Sequence, residues 1–409
     1  MKDFLKTMSI NKVLNHQSDF IKLGLENISL INAYGRILGK DIISDNNLPE
    51  FKRSTMDGYA INAESSFGAS EANPAYLIVK ASILMGEVPD FSLNTGEAAK
   101  ISTGGMLPQG ADSVIMIEHT EALDNTTIEI YKSVAPGQHT IDAGEDFKKG
   151  EKVLCKGRKI GASEMGLLGA YGREIVSVYK KPKISIISTG DEIVPVSQNP
   201  KIGQIRDINS YTLTGLVTEA GAEPLVLGIV KDDYHSLLDK CTEAVNNSDM
   251  VLLSGGSSMG MRDFTLKVIS ALPESEVLMH GISLSPGKPT ILAKANKKAV
   301  WGLPGHVVSA MVVFQTIVKP FVEHISGLLP EYKRTIKLSA KLTRNLSSAQ
   351  GRVDYVRVRI IKKENRLWAE PVLGKSGLLN TILKADGLIK IGRDVEGLDK
   401  DEDVQVIIL

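Results

Sequence analysis

The clearest pattern of apolar and polar positions lies between Lys183 and about Gly327. Short β-branched runs, which predict strands, alternate there with stretches of apolar residues at three- and four-residue spacing, which predict helices. This alternation is typical of βαβ units and predicts a doubly wound α/β domain, a parallel sheet covered by helices on both faces. The predicted strands are 184–188, 224–230, 250–253, 290–293 and 299–302, and the predicted helices are 210–220, 235–245, 264–272 and 307–325.

The pattern differs on both sides of this domain. Residues 1–27 have helical spacing, whereas 51–142 is a succession of short β-like runs broken by Gly, Pro and Asn, which is typical of a small all-β unit. Short alternating strands return after Pro330. We therefore expect a multidomain α/β plus β protein. Its parts would be an extended N-terminal domain (1–50 and 143–180), an inserted β domain (51–142), a central α/β domain (181–328) and a small C-terminal β domain (329–409).

Composition narrows the class of protein. The 409 residues include 48 basic and 48 acidic side chains, so no excess positive charge is available to hold nucleic acid by counterion release. The 2 cysteines, Cys155 and Cys241, support neither a disulfide framework nor a CxxC metal site. The N-terminus lacks the apolar segment of a secretory signal, and no stretch reaches the ~20 apolar residues of a membrane span. We expect a soluble cytoplasmic protein without nucleic-acid or membrane partners.

Four loops of the α/β domain carry candidate chemistry. Ligands of open α/β sheets bind beyond the carboxyl ends of the strands, and three of these loops directly follow a predicted strand. Glycines let the backbone approach a phosphate, and a following helix start adds free N–H groups and a positive dipole end. Asp191, Glu192 and Asp263 fit such a pocket if a divalent cation bridges them to the anion. The loops are 188–192, 254–260 with 262–263, 285–289 and 303–306.

For any single loop, the alternative is that Gly, Ser and Asp are ordinary turn and N-cap residues. Four such loops in one domain weaken that alternative. Two familiar nucleotide sites are excluded, because Lys288 is followed by Pro289, against the pattern GxxxxGK[ST], and because no GxGxxG directly follows a strand.

At these residues the chain resembles the molybdopterin molybdenumtransferase family, which includes bacterial MoeA and the E domain of gephyrin. The resemblance covers essentially the whole chain in family order. In the α/β domain it rests on STGDE (188–192), SGG (254–256) with DFT (263–265), PGKP (286–289), and LPG (303–305) with VSA (308–310). Elsewhere it rests on STMDGYA (54–60), ISTG (101–104) with GAD (110–112), GED (144–146), and GR (351–352) with YVR (355–357).

The resemblance implies a four-domain fold and an elongated homodimer, in which the α/β domain of one subunit faces the C-terminal β domain of the other. It implies insertion of molybdate into molybdopterin, starting from the adenylylated pterin and releasing AMP, with Mg²⁺ neutralising phosphoryl charge. A molybdopterin adenylyltransferase would supply that substrate upstream.

Carried over motif by motif, the resemblance also implies a role for each site residue. Catalytic roles would belong to Glu192, Asp232, Asp263 and Lys288, and the magnesium ligands would be Asp191, Glu192 and Asp263. Molybdopterin and AMP would be bound by Asp57, Thr103, Asp146, Thr189, Gly190, Ser254, Gly255, Gly256, Pro304 and Gly305. The molybdate oxyanion would be surrounded by Ser285, Pro286, Ser309, Arg357 and Ser376, with Arg357 and Ser376 reaching in from a second subunit.

Several of these positions keep a structural alternative. Asp57 and Thr103 could each stabilise only a turn, and Asp232 could be the N-cap of the next helix. Arg352 and Arg357 are an odd number of residues apart, so on one regular strand they would face opposite sides, and one of them could be a solvated charge.

Two positions depart from the family pattern. Ser285 stands where most members carry Lys or Arg, and His306-Val307 stands where most have Asn-Pro. Loss of a cation should weaken oxyanion binding, because charge-assisted hydrogen bonds are roughly twice as strong as neutral ones. Our hypothesis is that His306, when protonated, and Lys288 compensate in part. His280 and His306 are expected to flank the cleft without ligating a metal. The open alternatives are a tungstate-selective paralogue, a molybdopterin adenylyltransferase and a non-catalytic scaffold.

Overall fold

The computed structural model describes residues 7–255 and 261–409, with the backbone alone at 261–263. The chain forms two compact units. One comprises 1–40, 156–165 and 174–409, and the other comprises 41–155 and 166–173. The domain limits expected from the sequence stay a prediction, and the second unit extends beyond 51–142 on both sides.

The α/β domain belongs to the first unit, and its elements are numbered here from its first strand. Its strands are β1 Lys183–Thr189, β2 Glu223–Val230, β3 Met250–Gly255, β4 Glu276–His280, β5 Ile291–Ala295 and β6 Lys298–Leu303. Its helices are α1 Asn209–Glu219, α2 Tyr234–Asn247, α3 Met261–Ser270 and α4 Val307–Ile325. The strands form one sheet in the order β2-β1-β3-β6-β5-β4.

This sheet is only partly parallel. β2, β1, β3 and β6 run parallel as predicted, but β5 and β4 are antiparallel to their neighbours. The prediction of a wholly parallel sheet is therefore wrong at this edge. Asn296 and Lys297 have positive φ values of 45° and 63° and form the two-residue turn that reverses the chain between β5 and β6. Strands joined by so short a turn can pair only antiparallel.

Side chains from the central strands pack into two separate cores, which confirms the doubly wound architecture. Ile184 and Ile186 of β1 pack with α1 and α4 on one face, whereas Ile187 packs with α2 and α3 on the other. Trp301 of β6 is fully buried against Phe321 of α4, with ring centroids 5.0 Å apart. The carboxyl ends of β1, β3 and β6 are thereby fixed on a rigid platform.

Helix α4 contains one π-helical turn, Phe314–Val318, just before Pro320. Proline has no N–H and its ring clashes with the carbonyl four residues earlier, so the helix widens locally instead of breaking. Among the described residues, α4 alone is long and apolar enough to cross a membrane. Phe314 and Phe321 are nevertheless fully buried inside the domain, so α4 is a core helix.

The N-terminal part of the first unit corrects one prediction. The sequence pattern predicts helix through Asn27, but within the described residues of this segment the α-helix covers only Ile10–Asn15. Leu25–Ser29 is instead a strand, paired antiparallel with Ile175–Tyr179. Helical spacing is a weak signal, and strand pairing with a distant segment overrides it.

The C-terminal domain is a small closed β-barrel, which agrees with the predicted fold class. Its strands are β7 Lys337–Leu342, β8 Val353–Lys363, β9 Arg366–Pro371, β10 Gly387–Ile391 and β11 Asp403–Ile408. They follow the order β8-β9-β7-β11-β10, and β10 pairs with β8 to close the barrel. At its rim, Leu284–Ser285 of the α/β domain pairs in parallel with Val353–Asp354. The two domains are therefore joined by main-chain hydrogen bonds.

The second unit is a β module. Its six-stranded sheet has the strand order Ser113–Met116, Gly58–Ile61, Glu97–Ile101, Ala75–Ile83, Thr127–Ile130 and Thr120–Ala122. Alternating residues feed two small cores, with Ile115 in one and Val114 in the other. These strands confirm the succession of short β-like runs expected in 51–142, and Ala162–Ala170 forms a helix.

Candidate functional site

The loops after β1 and β2 bring together predicted site residues, which we call the acidic edge (Thr189, Asp191, Glu192 and Asp232). Thr189 Oγ1 donates to Asp232 Oδ1 at 2.8 Å, and the backbone N–H of Asp232 donates to Asp191 Oδ1 at 3.3 Å. These contacts join the loops of two neighbouring parallel strands, as the strand-end rule predicts. The N-cap of α2 is Asp233, so Asp232 is free of the capping role considered above.

Two glycines let the backbone pass close to this edge. Gly255 has a φ of 140°, and a Cβ at that position would lie 2.0 Å from the carbonyl oxygen of Thr189. Gly190 has a φ of 154°, and a Cβ there would lie 2.8 Å from Glu192 Oε2. Both conformations favour glycine, because positive φ is strained for residues that carry a Cβ. The loops after β1 and β3 can approach each other only with glycine at position 255.

The predicted magnesium ligands are only partly described. Among the described side chains, no three His, Cys, Asp or Glu residues come together in a group that could hold a metal ion. Asp263 lies in the first turn of α3, where the structure describes the backbone alone, and Gly256 lies outside the described residues. The metal set Asp191, Glu192 and Asp263 therefore stays a prediction.

Two buried polar residues beside this edge were missed by sequence reasoning. Asp207, only 6% exposed, accepts hydrogen bonds from Ser188 Oγ at 2.9 Å and from Ser210 N at 3.1 Å. Asn209, 7% exposed, donates to Ser254 Oγ at 2.6 Å and to the carbonyl oxygen of Gly305 at 2.8 Å. Asp-x-Asn-Ser before a helix looks like ordinary N-cap sequence, which explains why it gave no functional signal.

A cleft of about 610 Å³ lies between the α/β domain and the C-terminal barrel, and we refer to it as the cleft. The predicted site residues on its wall are Ser285, Pro286, Lys288, Pro304, Ser309 and Ser376. His306 and Arg352 also line it. A second cavity of about 450 Å³ lies elsewhere in the first unit, and none of the predicted site residues lines it. The proline-rich loop and the LPG loop both line the cleft, and their role in one site stays a prediction.

The C-terminal domain contacts the cleft through the loop that carries Ser376. His306 Nδ1 lies 2.9 Å from Ser376 Oγ, and the N–H of Val308 donates to the carbonyl oxygen of Ser376 at 3.2 Å. All three residues belong to one chain. The rim pairing of Leu284–Ser285 with β8 holds the chain's own barrel and its Ser376 against the α/β domain, and the expected contribution of a second subunit stays a prediction.

The two candidate arginines differ in environment. Arg352 lines the cleft and pairs with Asp354, with Nε and Oδ1 2.8 Å apart. Arg357, at 9% exposure, donates from Nη2 to the carbonyl oxygen of Gly374 at 2.9 Å, and its Nε and Nη1 have no partner among the described residues. Burial lowers the pKa of the Arg357 guanidinium from its ordinary value. Arg357 is not on the cleft wall, so the structure places Arg352 there instead.

In the second unit, Asp57 and Thr103 come together. Asp57 Oδ1 accepts from the backbone N–H of Thr103 at 2.7 Å and from its hydroxyl at 3.0 Å. These two donors lower the pKa of the Asp57 carboxyl, and the backbone N–H makes the larger contribution. Asp146, predicted to act with them, has an exposed side chain. A carboxylate held by two donors on an exposed loop is a stronger feature than an isolated turn residue.

Three family models match successive parts of the chain. "MoeA N-terminal region (domain I and II)" matches residues 8–172, "Probable molybdopterin binding domain" matches 185–324, and "MoeA C-terminal region (domain IV)" matches 339–409. The second of these spans the acidic edge and most of the cleft loops.

Individual proteins match over the same length. The molybdopterin molybdenumtransferase of Bacillus subtilis is 31% identical over 98% of this chain and 94% of its own. A crystal structure of the molybdopterin biosynthesis moeA protein from Pyrococcus horikoshii superposes with a TM-score of 0.85 at 31% identity, covering 99% of this chain and 100% of that one. A second structure of a moeA protein from the same organism is 39% identical with a TM-score of 0.80, covering 98% and 99% of the two chains.

Proposed function

Because this chain belongs to the molybdopterin molybdenumtransferase family, we propose that it inserts molybdate into adenylylated molybdopterin and releases AMP. The observation that carries this proposal is the cleft, whose wall combines two cations with serine hydroxyls and a helix start. A transferase of molybdenum cofactor biosynthesis needs a place where a tetrahedral dianion can meet a phosphorylated pterin.

The wall of the cleft suits an oxyanion. Lys288 supplies positive charge, Arg352 adds a guanidinium that is paired with Asp354, and Ser285 and Ser309 supply hydroxyl donors. The start of α4 borders the cleft at His306, and the positive end of its dipole favours an anion. Preorganised donors of this kind stabilise negative charge without having to reorganise during the reaction.

The acidic edge would hold the phosphoryl part of the substrate. We propose that Asp191 and Glu192, with Asp263, hold Mg²⁺, because this ion is usually bound by one or two carboxylates together with substrate phosphates. The bound ion would offset phosphoryl charge. Thr189 holds Asp232 beside Asp191, so Asp232 would be a further carboxylate near the proposed ion.

The proposal also covers substrate contacts, oligomeric state, location and an upstream partner, which the family assignment alone does not give. We propose that the Asp57–Thr103 pair, with Asp146, binds part of the pterin substrate. We also propose a homodimer in the cytoplasm that receives its substrate from a molybdopterin adenylyltransferase. Tungstate in place of molybdate is the main alternative substrate, since both are tetrahedral dianions.

The test uses the full-length protein, adenylylated molybdopterin and added oxyanion, with AMP measured by chromatography. We expect AMP release that requires molybdate and Mg²⁺. We expect Asp232→Asn to slow it by about tenfold or more, because a charge beside the phosphoryl group is lost. The control is Asp239→Asn, which changes an exposed carboxylate of α2 away from the edge.

Other outcomes separate the alternatives. AMP release driven better by tungstate would identify the paralogue. Consumption of ATP with free molybdopterin and release of pyrophosphate would identify an adenylyltransferase. A folded dimer that performs neither reaction would overturn the proposal in favour of a scaffold.

A further inference from the structure

The side chain of Asn209 connects two loops that belong to different strands. Its Nδ2 group donates to Ser254 Oγ, at the end of β3, and to the carbonyl oxygen of Gly305, in the loop after β6. Asn209 itself is the first residue of α1 and is only 7% exposed. One amide therefore joins the start of α1, the end of β3 and the loop that leads into α4.

The orientation of the amide is fixed by its partners. A carbonyl oxygen such as that of Gly305 can only accept, so the nitrogen of the Asn209 amide must face it. The other amide atom, Oδ1, is buried and accepts no hydrogen bond from any described residue. The donor half of Asn209 thus makes both of the side chain's hydrogen bonds in the described part of the chain.

The segment that carries Asn209 is itself anchored. Asp207 accepts from Ser188 Oγ of β1 and from the backbone N–H of Ser210, while the hydroxyls of Ser188 and Ser210 lie 3.1 Å apart. Both Asp207 and Asn209 are buried, so their hydrogen bonds are shielded from water. This network ties the ends of β1, β3 and β6 to one short segment.

We infer that Asn209 is a positioning residue that sets the spacing between the Ser254–Gly255 loop and the Pro304–Gly305 loop for binding of the adenylylated pterin. The inference rests on the proposed function, since those loops are the predicted phosphate and nucleotide contacts. Asn209 touches no reacting group. It acts through Ser254 and Gly305, whose places it fixes.

The role makes a specific demand on side-chain chemistry. Asn209→Asp keeps the size and shape of the side chain but, as a carboxylate, offers only acceptors to the Gly305 carbonyl. Asn209→Ala removes the group altogether. If Asn209 merely fills space, Asn209→Asp should resemble the wild type and Asn209→Ala should be the more defective variant. If its donors matter, Asn209→Asp should be at least as defective as Asn209→Ala.

The experiment measures steady-state AMP release with full-length protein, varying adenylylated molybdopterin and molybdate separately. We expect Asn209→Ala and Asn209→Asp to raise KM for the adenylylated pterin by about tenfold, because a buried carbonyl loses its donor. KM for molybdate should rise by less than KM for the pterin, because Asn209 holds only the cleft loop that carries Pro304 and His306, whereas Lys288 and Arg352 lie on other segments of the cleft wall. Asn209→Ser keeps one hydroxyl donor, so its KM for the adenylylated pterin should lie between that of the wild type and those of Asn209→Ala and Asn209→Asp.

The matched control is Ser248→Ala. Ser248 is equally buried in the same domain and its hydroxyl donates to Ala244 O at 2.7 Å and Met250 O at 3.0 Å, at the opposite end of β3. The Ser248→Ala substitution should lower the free energy of unfolding without changing KM for the adenylylated pterin or for molybdate. Equal increases in both KM values, or an Asn209→Asp variant with wild-type kinetics, would overturn the inference.

A ligand-free measurement separates this inference from the proposed function. Hydrogen–deuterium exchange should rise in the peptides that carry Ser254 and Gly305 in Asn209→Ala, and stay unchanged there in Ser248→Ala. If wild-type protein releases no AMP, the proposed function fails, and exchange still decides whether Asn209 holds the two loops. Unchanged exchange in Asn209→Ala would refute the positioning role even if the enzyme is active. If Asn209→Asp does not fold, Asn209→Ser and Asn209→Ala carry the same comparison.

Discussion

The acidic edge and the cleft lie on loops of the same α/β domain, but they are held in place differently. At the acidic edge, Asp191 and Glu192 are exposed, and one hydrogen bond from Thr189 and one from a backbone N–H connect the carboxylates. At the cleft, main-chain pairing of Leu284–Ser285 with β8 and the His306–Ser376 contact join two domains. Contacts between two domains fix the walls of the cleft. The acidic edge has few such contacts, and it gathers negative charge that a bound cation would offset.

Under the proposed function, this difference suits the acidic edge to the phosphoryl group and the cleft to the oxyanion. Carboxylates gathered on neighbouring loops repel one another, so the acidic edge gains most from a ligand that brings positive charge. A cleft with fixed walls discriminates by shape and by the placing of its donors. Variants at the acidic edge should therefore alter handling of the phosphoryl group, and variants at the cleft should alter handling of the oxyanion.

The largest effect is expected where the loops of the acidic edge approach most closely. Gly255→Ala would place a Cβ 2.0 Å from the carbonyl oxygen of Thr189, at a φ of 140°. We expect the free energy of unfolding to fall by about 2–4 kcal/mol and AMP release to be lost, because backbone rather than a flexible side chain must move. Thermal unfolding together with the AMP assay measures both.

A glycine in the same domain provides the control for this prediction. Gly215 lies within α1, and a Cβ there would meet nothing within 4 Å. Gly215→Ala should therefore keep activity and gain roughly 0.5–1 kcal/mol, since alanine is the better helix former. A Gly255→Ala protein that is as stable and active as wild type would show that the two loops are free to separate.

The fold was largely predictable from the sequence because the buried strands of the α/β domain have strong periodic signals. β1 is flanked by turn residues and followed by a clear helix, so its strand-end loop could be placed correctly. The antiparallel pairing of β5 with β6 could have been predicted, because only five residues separate the predicted strands 290–293 and 299–302, too few for the crossover that parallel pairing needs. Strand Leu25–Ser29 could not be predicted from the sequence, because its partner strand, Ile175–Tyr179, lies some 150 residues away in the chain.

The candidate site was predictable in part. Loops rich in Gly and Ser after strands pointed to the acidic edge and to the cleft loops. The assignment of Arg357 rather than Arg352 to the oxyanion could not be tested on sequence, because strand alternation leaves both choices open until burial is known. The role inferred for Asn209 could not be predicted from the sequence, because its two hydrogen-bond acceptors, Ser254 and Gly305, are distant in the chain.

At the cleft, His306→Ala tests whether the histidine compensates for the missing cation at Ser285. His306 lines the cleft with Lys288 and contacts Ser376, so its loss removes one polar group from the wall. We expect the molybdate concentration for half-maximal AMP release to rise by about threefold to tenfold, the effect of a hydrogen bond to a charged group. KM for the adenylylated pterin should stay unchanged.

The same prediction has a rescue arm. Ser285→Lys should restore molybdate affinity in the His306→Ala background and change it little in the wild type, since a new cation replaces the lost donor. His235→Ala, on the exposed face of α2, is the control for loss of an unrelated histidine. The compensation hypothesis is refuted if His306→Ala leaves the molybdate dependence unaltered.

The smallest effect is expected in the second unit, at a carboxylate that contrasts with the acidic edge because two donors hold it. Thr103→Val removes the hydroxyl donor to Asp57 but keeps the backbone N–H, which is the larger cause of the lowered pKa. The pKa of Asp57 should therefore rise only part of the way to its ordinary value. The measurement is a carbon-detected NMR titration of the carboxyl group.

The sign of the linked stability effect follows from this direction. A carboxyl whose pKa is lower in the folded state contributes stability above its unfolded pKa, and that contribution is lost as the pH falls through the folded pKa. Thr103→Val should reduce the contribution at neutral pH and so weaken the acid dependence of unfolding.

Thr126→Val is the matched control, because Asp124 accepts from Thr126 in the same way. In that variant the pKa of Asp124 should rise while the pKa of Asp57 stays fixed. An unchanged pKa of Asp57 in Thr103→Val would show that the backbone N–H alone holds the carboxylate. Asp57 would then resemble the loosely held carboxylates of the acidic edge more closely than the structure indicates.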